Sequence, residues 1–145
     1  MTSYHGGPAS AEQGVAILVL RSALGAIFVV HGLIKVFVYS LPGTVAFFES
    51  VGLPGAAAYA VTVVELVAGV LLLIGYQTRW AALAVIPVML GATWTHLPNG
   101  FTFNNQGGGW EFTAFLAAAA LALFLSGQDG AFSLAPKGRK AAAHS

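Results

Sequence analysis

Residues 16–38 read AILVLRSALGAIFVVHGLIKVFV, an apolar run of transmembrane length that nevertheless carries Arg21, His31 and Lys35. A helix needs about 20 mostly apolar residues to cross a bilayer. Ionisable side chains are costly inside the hydrocarbon, so they normally face the protein interior or a water-filled cavity. His31 and Lys35 are four residues apart, which places them on one helical face. This stretch therefore predicts a membrane helix with a polar site near one end.

The composition places the whole chain in the membrane class. Of its 145 residues, 57% are hydrophobic and only 8% are charged, and the mean hydropathy is +0.80. A soluble domain carries about 25% charged residues. The net charge of +1 excludes a nucleic-acid function, because no basic patch is available for phosphates. The lack of cysteine excludes thiol–disulfide exchange and thiolate-bound metal centres.

Hydropathy and the positions of Gly and Pro predict an all-α membrane protein, an antiparallel four-transmembrane-helix bundle with a short interfacial helix between helices one and two. The first apolar run is too long for a signal peptide, so we expect it to be retained. The predicted spans cover about residues 15–38, 56–76, 80–97 and 109–126, and the interfacial helix covers 44–51. The predicted domains are a flexible cytoplasmic tail (1–14), the transmembrane domain (15–127) and a flexible basic cytoplasmic tail (128–145).

The positive charges predict the orientation of the chain. Arg79 lies in the turn between helices two and three, and the C-terminal tail contains Lys137, Arg139 and Lys140. Because Lys and Arg are retained on the cytoplasmic side, we expect both termini there. The two long connections, 39–55 and 97–109, then face outward.

Five ionisable residues converge on the outer half of this predicted bundle. Lys35 and His31 lie near the outer end of helix one, and Glu65 lies near the middle of helix two. His96 ends helix three and Glu111 begins helix four at the same outer level. We predict that these residues line one outward-opening polar pocket.

The inner part of this pocket allows a functional and a structural interpretation. Glu65 either takes part in chemistry or is a structural partner of Lys35 or an arginine, since a carboxylate in hydrocarbon must pair or be neutralised. His31 and Lys35 can hold the oxygen of a quinone or similar carbonyl compound, and His31 with Glu65 can supply its protons. The structural alternative is that Lys35 reaches to the headgroups. Gly69 leaves room for close helix packing or for a flat ligand.

The outer residues are less specific. Glu111 is favoured at a helix N-terminus by the macrodipole alone. Trp110 either belongs to the interfacial aromatic belt or covers the pocket together with His96. Arg21 and Arg79 lie toward the inner side and are predicted to be structural charges. No short metal-ligand spacing is present, so neither a metal ion nor a haem is expected.

Several ordered motifs resemble the DoxX family of small prokaryotic membrane proteins. The resemblance covers about residues 16–134, and it departs from the family pattern at Ala135, where relatives often have an acidic residue. The motifs are Arg21, His31-Gly32-x-x-Lys35, Gly52-Leu53-Pro54, Glu65 with Gly69, 71–75, Thr78-Arg79, 95–101 and the Gly-Gly-Trp-Glu sequence that ends at Glu111.

This resemblance implies a four-helix protein of the prokaryotic cytoplasmic membrane, linked to respiratory or redox chemistry. Such relatives include the membrane subunit of a thiosulfate:quinone oxidoreductase, a protein named for a terminal quinol oxidase, and proteins that associate with detoxifying redox enzymes. The leading hypothesis is therefore a redox subunit that contacts quinone or quinol. The chain carries no obvious redox cofactor, so we expect electrons from a membrane respiratory complex or a soluble redox enzyme.

Two other functions remain open at this point. The first is a non-catalytic anchor or assembly subunit of a larger respiratory complex, with small residues such as Gly69 and 117–120 facing partner helices. The second is a small proton-coupled transporter that uses Glu65. Lys35 and Arg21 argue against a cation pocket, so the transporter is ranked third.

Overall fold

The computed structural model describes residues 10–135, and these fold entirely into helices and connecting loops. Five α-helices and one 3₁₀ helix follow each other along the chain. They are α1 (Ala11–Phe37), α2 (Leu41–Ser50), α3 (Gly55–Ile74), α4 (Thr78–His96), the 3₁₀ helix (Leu97–Asn99) and α5 (Glu111–Ser126). The prediction of an all-α protein is confirmed for this part of the chain.

Three of the helical segments are long and apolar enough to cross a membrane. They are α1, α3 and the continuous run Thr78–Asn99. The fourth predicted span, α5, has 16 residues, or about 24 Å at the α-helical rise. The hydrocarbon layer is about 30 Å thick. An antiparallel bundle of four transmembrane helices therefore stays a prediction.

Local capping explains why two helices begin earlier than predicted. Ser10 and Gln13 form a reciprocal capping box, so α1 begins at Ala11 and includes residues predicted as tail; residues 1–9 of that tail lie outside the described part. The Ser40 hydroxyl accepts a hydrogen bond from the Gly43 amide, so α2 begins at Leu41 instead of at residue 44. Such caps satisfy amides that have no partner within the helix.

The core lies where α1 packs on α3, α3 on α4 and α4 on α5, while α2 covers α3 and α1 also contacts α5. The contact between α1 and α3 is close, because a Cβ added at Gly25 would lie 2.7 Å from the Gly69 carbonyl oxygen. The buried residues between the helices are Leu24, Phe28, Ala68, Leu72, Ala81, Ala82, Val85, Met89, Leu116, Ala117, Ala120 and Leu123.

A short C-terminal segment, residues 127–135, returns to the helices and is here called the strap. The Ala131 amide donates to the Gly14 carbonyl (2.9 Å) and the Leu134 amide donates to the Ile74 carbonyl (3.1 Å). The strap therefore connects the beginning of α1 to the end of α3, so this part of the predicted flexible tail is packed. The three predicted basic residues of the tail, Lys137, Arg139 and Lys140, lie outside the described residues.

Candidate functional site

Lys35 and Glu65 form an ion pair between α1 and α3. The Lys35 Nζ atom lies 2.8 Å from the Glu65 Oε2 atom, and the two side chains are 19% and 3% exposed. Breaking such a pair by removing one member is strongly destabilising, because the other charge is left buried without compensation. Lys35 and Glu65, which the sequence predicted to share a pocket, are thus in direct contact. The same contact also agrees with the structural alternative, in which Glu65 is a partner of Lys35.

Glycines on α1 and α3 allow this contact. A Cβ added at Gly32 would lie 2.7 Å from the Leu66 side chain, and one added at Gly69 would lie 2.9 Å from the Val29 amide nitrogen. The two helices therefore approach closely beside the ion pair, on the side that leads toward Arg21. Gly69 is buried in this contact, so within this chain its observed role is helix packing.

The end of α1 is held by α2. The Thr44 hydroxyl donates to the Lys35 carbonyl at 3.1 Å and to the Ser40 carbonyl at 2.9 Å. Thr44 is buried, so α2 restrains the backbone of the residue that carries the ammonium group. Thr44 was not predicted as a site residue, because a threonine in a short helix carries no sequence signal for a bond to the preceding helix.

His31 lies one turn before Lys35 on the outer surface of α1. Its Nδ1 atom is 2.8 Å from the Ile27 carbonyl oxygen. Since a carbonyl only accepts, Nδ1 is the donor and a neutral ring presents the Nε2 lone pair outward. The ring lies 6.4 Å, centroid to centroid, from Phe112. His31, Lys35 and Glu65 are called the polar triad below.

His96 and Trp110 belong to a second cluster in the loop between α4 and α5. The His96 Nδ1 atom lies 3.0 Å from the Gly108 carbonyl, to which the Asn99 amide also donates at 2.9 Å. The Trp110 ring packs edge-on against Phe101, with centroids 4.9 Å apart. These residues therefore fold the loop onto the end of α4.

Glu111 belongs to the same loop. Its Oε1 atom accepts a hydrogen bond from the Phe103 amide at 2.8 Å. Within residues 10–135, neither Glu111 nor His96 makes a hydrogen bond or ion pair with the polar triad. Phe112 links the two clusters, because its ring contacts both His31 and Phe103. Phe112 was not predicted as a site residue, because in the sequence it resembles any other apolar residue of a membrane helix.

Arg21 and Arg79, the two predicted structural charges, have different surroundings. Arg21 is fully buried and donates to the carbonyls of Leu72, Leu73, Ala131 and Phe132 at 2.7–3.2 Å. It therefore joins the end of α3 to the strap. Arg79, at the beginning of α4, is exposed and lies over the rings of Trp80 and Phe124.

The acidic and histidine side chains are dispersed. In the part of the chain that the structure describes, no group of three His, Cys, Asp or Glu side chains is close enough to hold a metal ion. The polar triad offers one cation, one carboxylate and one imidazole. Such a set can donate hydrogen bonds to a carbonyl oxygen and exchange protons with it.

Comparison with known proteins assigns the family. The DoxX family profile matches residues 16–98, more than half of the chain. The chain belongs to the DoxX family. The DoxX match includes the polar triad, Arg21, Arg79 and His96, and it ends before Trp110 and Glu111. Together with the three apolar helices, it makes the chain a multi-pass membrane protein.

A curated relative of this DoxX protein comes from Bacillus subtilis (strain 168) and is named "Putative oxidoreductase CatD". The two are 40% identical over 78 residues, which are 54% of this chain and 57% of the relative. The chain thus matches little more than half of the relative's length. No solved structure matches this chain.

Proposed function

We propose that this DoxX protein is a membrane subunit of a redox system and that the polar triad contacts the headgroup of a quinone or quinol. The observation that carries the proposal is the ion pair between Lys35 and Glu65, buried between two membrane-length helices. Ionisable residues in such helices are rare and usually functional. The name of the Bacillus relative, an oxidoreductase, supports the same class of chemistry.

The polar triad has the chemical groups that a quinone headgroup requires. An ammonium group has three N–H donors, and Lys35 gives one of them to Glu65. The His31 ring is exposed and lies 6.4 Å from the Phe112 ring, so a flat apolar headgroup would have an aromatic neighbour beside a hydrogen-bonding group. Lys35 would hold a carbonyl oxygen, while His31 and Glu65 would carry protons to and from it.

Quinone reduction consumes two electrons and two protons, and reoxidation of the quinol returns them. The polar triad supplies only the proton-binding groups. The electrons would come from a membrane respiratory complex or a soluble redox enzyme that donates to the quinone. In this proposal the chain binds and orients the headgroup and controls its protons.

Quinone binding is tested by isothermal titration calorimetry of the purified protein with decylubiquinone and menadione. We expect His31→Ala and Glu65→Gln each to weaken binding at least about ten-fold, the equivalent of one lost hydrogen bond to a charged group. Val30→Ala is the matched control, because Val30 is exposed on the same helix. Unchanged affinity in both variants, with the folded state intact, would refute the proposal.

For the topology, we propose four antiparallel spans, with α5 as the fourth and both termini in the cytoplasm of a prokaryotic cell. The lack of native cysteine makes single-cysteine labelling of intact cells direct. A membrane-impermeant maleimide should label Ser50→Cys and Gln106→Cys but not Tyr76→Cys until the cells are opened. All three residues are exposed in the structure. The reverse pattern would invert the orientation, and labelling of Ser50→Cys without Gln106→Cys would remove α4 as a span. Labelling of Phe132→Cys, an exposed position after α5, in intact cells would remove α5 as a span.

The anchor and transporter hypotheses remain alternatives to quinone contact. Of the small residues that the anchor hypothesis used, Gly69, Ala117 and Ala120 are buried within this chain, whereas Ala118 is exposed and could face a partner helix. An anchor would co-purify with a large complex whose activity does not respond to changes in the polar triad. A transporter would show counterflow that depends on Glu65, but Lys35 already neutralises that carboxylate.

A further inference from the structure

An apolar groove runs between α3 and α4. Its volume is about 280 Å³. Val63, Val67 and Trp80 line it and are 55–59% exposed, so the groove is open along its length. The other lining residues are Val64, Ala68, Leu71, Gln77, Ala81 and Ala84. In a membrane-spanning chain such an opening faces the acyl chains of the bilayer.

A positive charge lies at one end of this groove. The Arg79 Cζ atom is 5.6 Å from the centroid of the Trp80 ring and 4.8 Å from that of Phe124. Trp80 thus contacts both the groove and the cation. Cation–π contacts hold the guanidinium in place. Within residues 10–135 the Arg79 guanidinium makes no hydrogen bond or ion pair, so its planar set of N–H donors is available for an anionic oxygen.

We propose that this groove is a binding site for an anionic phospholipid, with the phosphate at Arg79 and one acyl chain between α3 and α4. This surface is elongated, cationic at one end and apolar along its length, which complements the charge and shape of an anionic phospholipid. Arginine binds phosphate oxygens in a bidentate fork, and tryptophan at a helix end favours the headgroup level. A partner helix would fill the apolar part but would leave the Arg79 charge without an anion.

The chain offers a matched pair of reporters for this proposal. It contains three tryptophans, and two of them, Trp80 and Trp94, are near opposite ends of α4 and are 56% and 55% exposed. One protein carries Trp94→Phe and Trp110→Phe, so that Trp80 alone fluoresces. The control carries Trp80→Phe and Trp110→Phe, so that Trp94 alone fluoresces. Both are placed in phosphatidylcholine nanodiscs with a fixed fraction of brominated lipid.

The measurement compares quenching by brominated phosphatidylglycerol with quenching by brominated phosphatidylcholine of the same chain length. We expect the apparent association at Trp80 to favour the anionic lipid about five-fold, the effect of one basic residue near the membrane surface. Trp94 should not distinguish the two lipids. Arg79→Gln should abolish the preference at Trp80, whereas Arg79→Lys should keep most of it.

Three outcomes would overturn the proposal. Equal quenching of Trp80 by the two lipids would remove the specificity for anionic headgroups. A preference that survives Arg79→Gln would remove the assigned phosphate contact. Protection of Trp80 from both lipids, with Trp94 quenched normally, would mean that a second copy or a partner helix covers the groove.

Discussion

Helix α1 buries two cations in opposite ways. Arg21 is fully buried and bonds only to backbone carbonyls, from α3 and from the strap. Lys35, about 21 Å further along the helix by its rise, is partly accessible and bonds to a carboxylate. The carbonyls cannot change their protonation, whereas the carboxylate can. We therefore propose that the Arg21 end of α1 is architectural and that the Lys35 end takes part in chemistry.

The Arg21 end completes the C-terminus of α3. The last carbonyls of a helix have no partner within it, and cations near them are favoured by the helix dipole. Here Arg21 takes the Leu72 and Leu73 carbonyls, while the Leu134 amide takes that of Ile74. Asp129 of the strap in turn accepts from the Thr78 amide at the start of α4. One arginine and the strap thus fix the ends of three helices.

The largest expected effect comes from Arg21→Met. This change leaves four carbonyls without their donor, and at about 1 kcal/mol or more for each unpaired group we expect a loss of about 4 kcal/mol in the free energy of unfolding. Reversible titration with SDS measures it. Arg79→Met is the matched control and should change the same quantity by about 0.5 kcal/mol or less, because Arg79 is exposed. Equal losses in the two variants would contradict the assignment of Arg21 to architecture.

The ion pair predicts a smaller effect with a different signature. Glu65→Leu alone should lower the free energy of unfolding by about 3 kcal/mol, because it leaves Lys35 uncompensated. The double variant Lys35→Met with Glu65→Leu should recover most of this loss, since apolar replacement of a buried pair is often neutral. Both proteins should fail to bind decylubiquinone in calorimetry.

This double variant tests whether the two ends of α1 differ in role. If it is as unstable as Glu65→Leu, the Lys35–Glu65 pair is architectural like Arg21. If it is stable and still binds the quinone, the polar triad is not the headgroup site.

The sequence predicted the helices well because their signals are local. Apolar runs and the Gly and Pro positions located every α-helix within a few residues. The cost of placing ionisable groups in a membrane selected Lys35 and Glu65 as site residues, and a partner for Glu65, either Lys35 or an arginine, was only the structural alternative. The partners of Arg21 were not predictable, since backbone carbonyls are present at every residue and carry no sequence pattern. The connection over residues 97–109 was predicted, but its conformation was not. That conformation depends on hydrogen bonds within the loop and to the start of α5, such as that from the Phe103 amide to Glu111, and on positive φ angles at Gly100, Gly107 and Gly108.

The third prediction concerns the contact between α1 and α3 at Gly69, which lies between the Arg21 and Lys35 ends of α1. Gly69→Ala would place its Cβ 2.8 Å from a Val29 side-chain carbon and 2.9 Å from the Val29 amide nitrogen, so we expect a loss of about 1–3 kcal/mol from overpacking. Gly91→Ala is the matched control, because no atom outside its own helix lies within 4 Å of the added Cβ. It should gain about 0.5–1 kcal/mol from helix propensity. Thermal unfolding in detergent distinguishes these opposite signs.

The smallest effect is expected at Glu111, and it tests which predicted site residues belong with the polar triad. Glu111→Ala removes the acceptor of the Phe103 amide, so exchange of that amide with deuterium should accelerate while global stability falls by only about 1 kcal/mol. Decylubiquinone affinity should stay within about two-fold of the unchanged protein, in contrast to the loss expected for His31→Ala. A loss of affinity in both Glu111→Ala and His31→Ala would support the larger pocket that the sequence predicted. In that case Phe112, which contacts His31 through its ring and follows Glu111 in the chain, would be the connection between the two clusters.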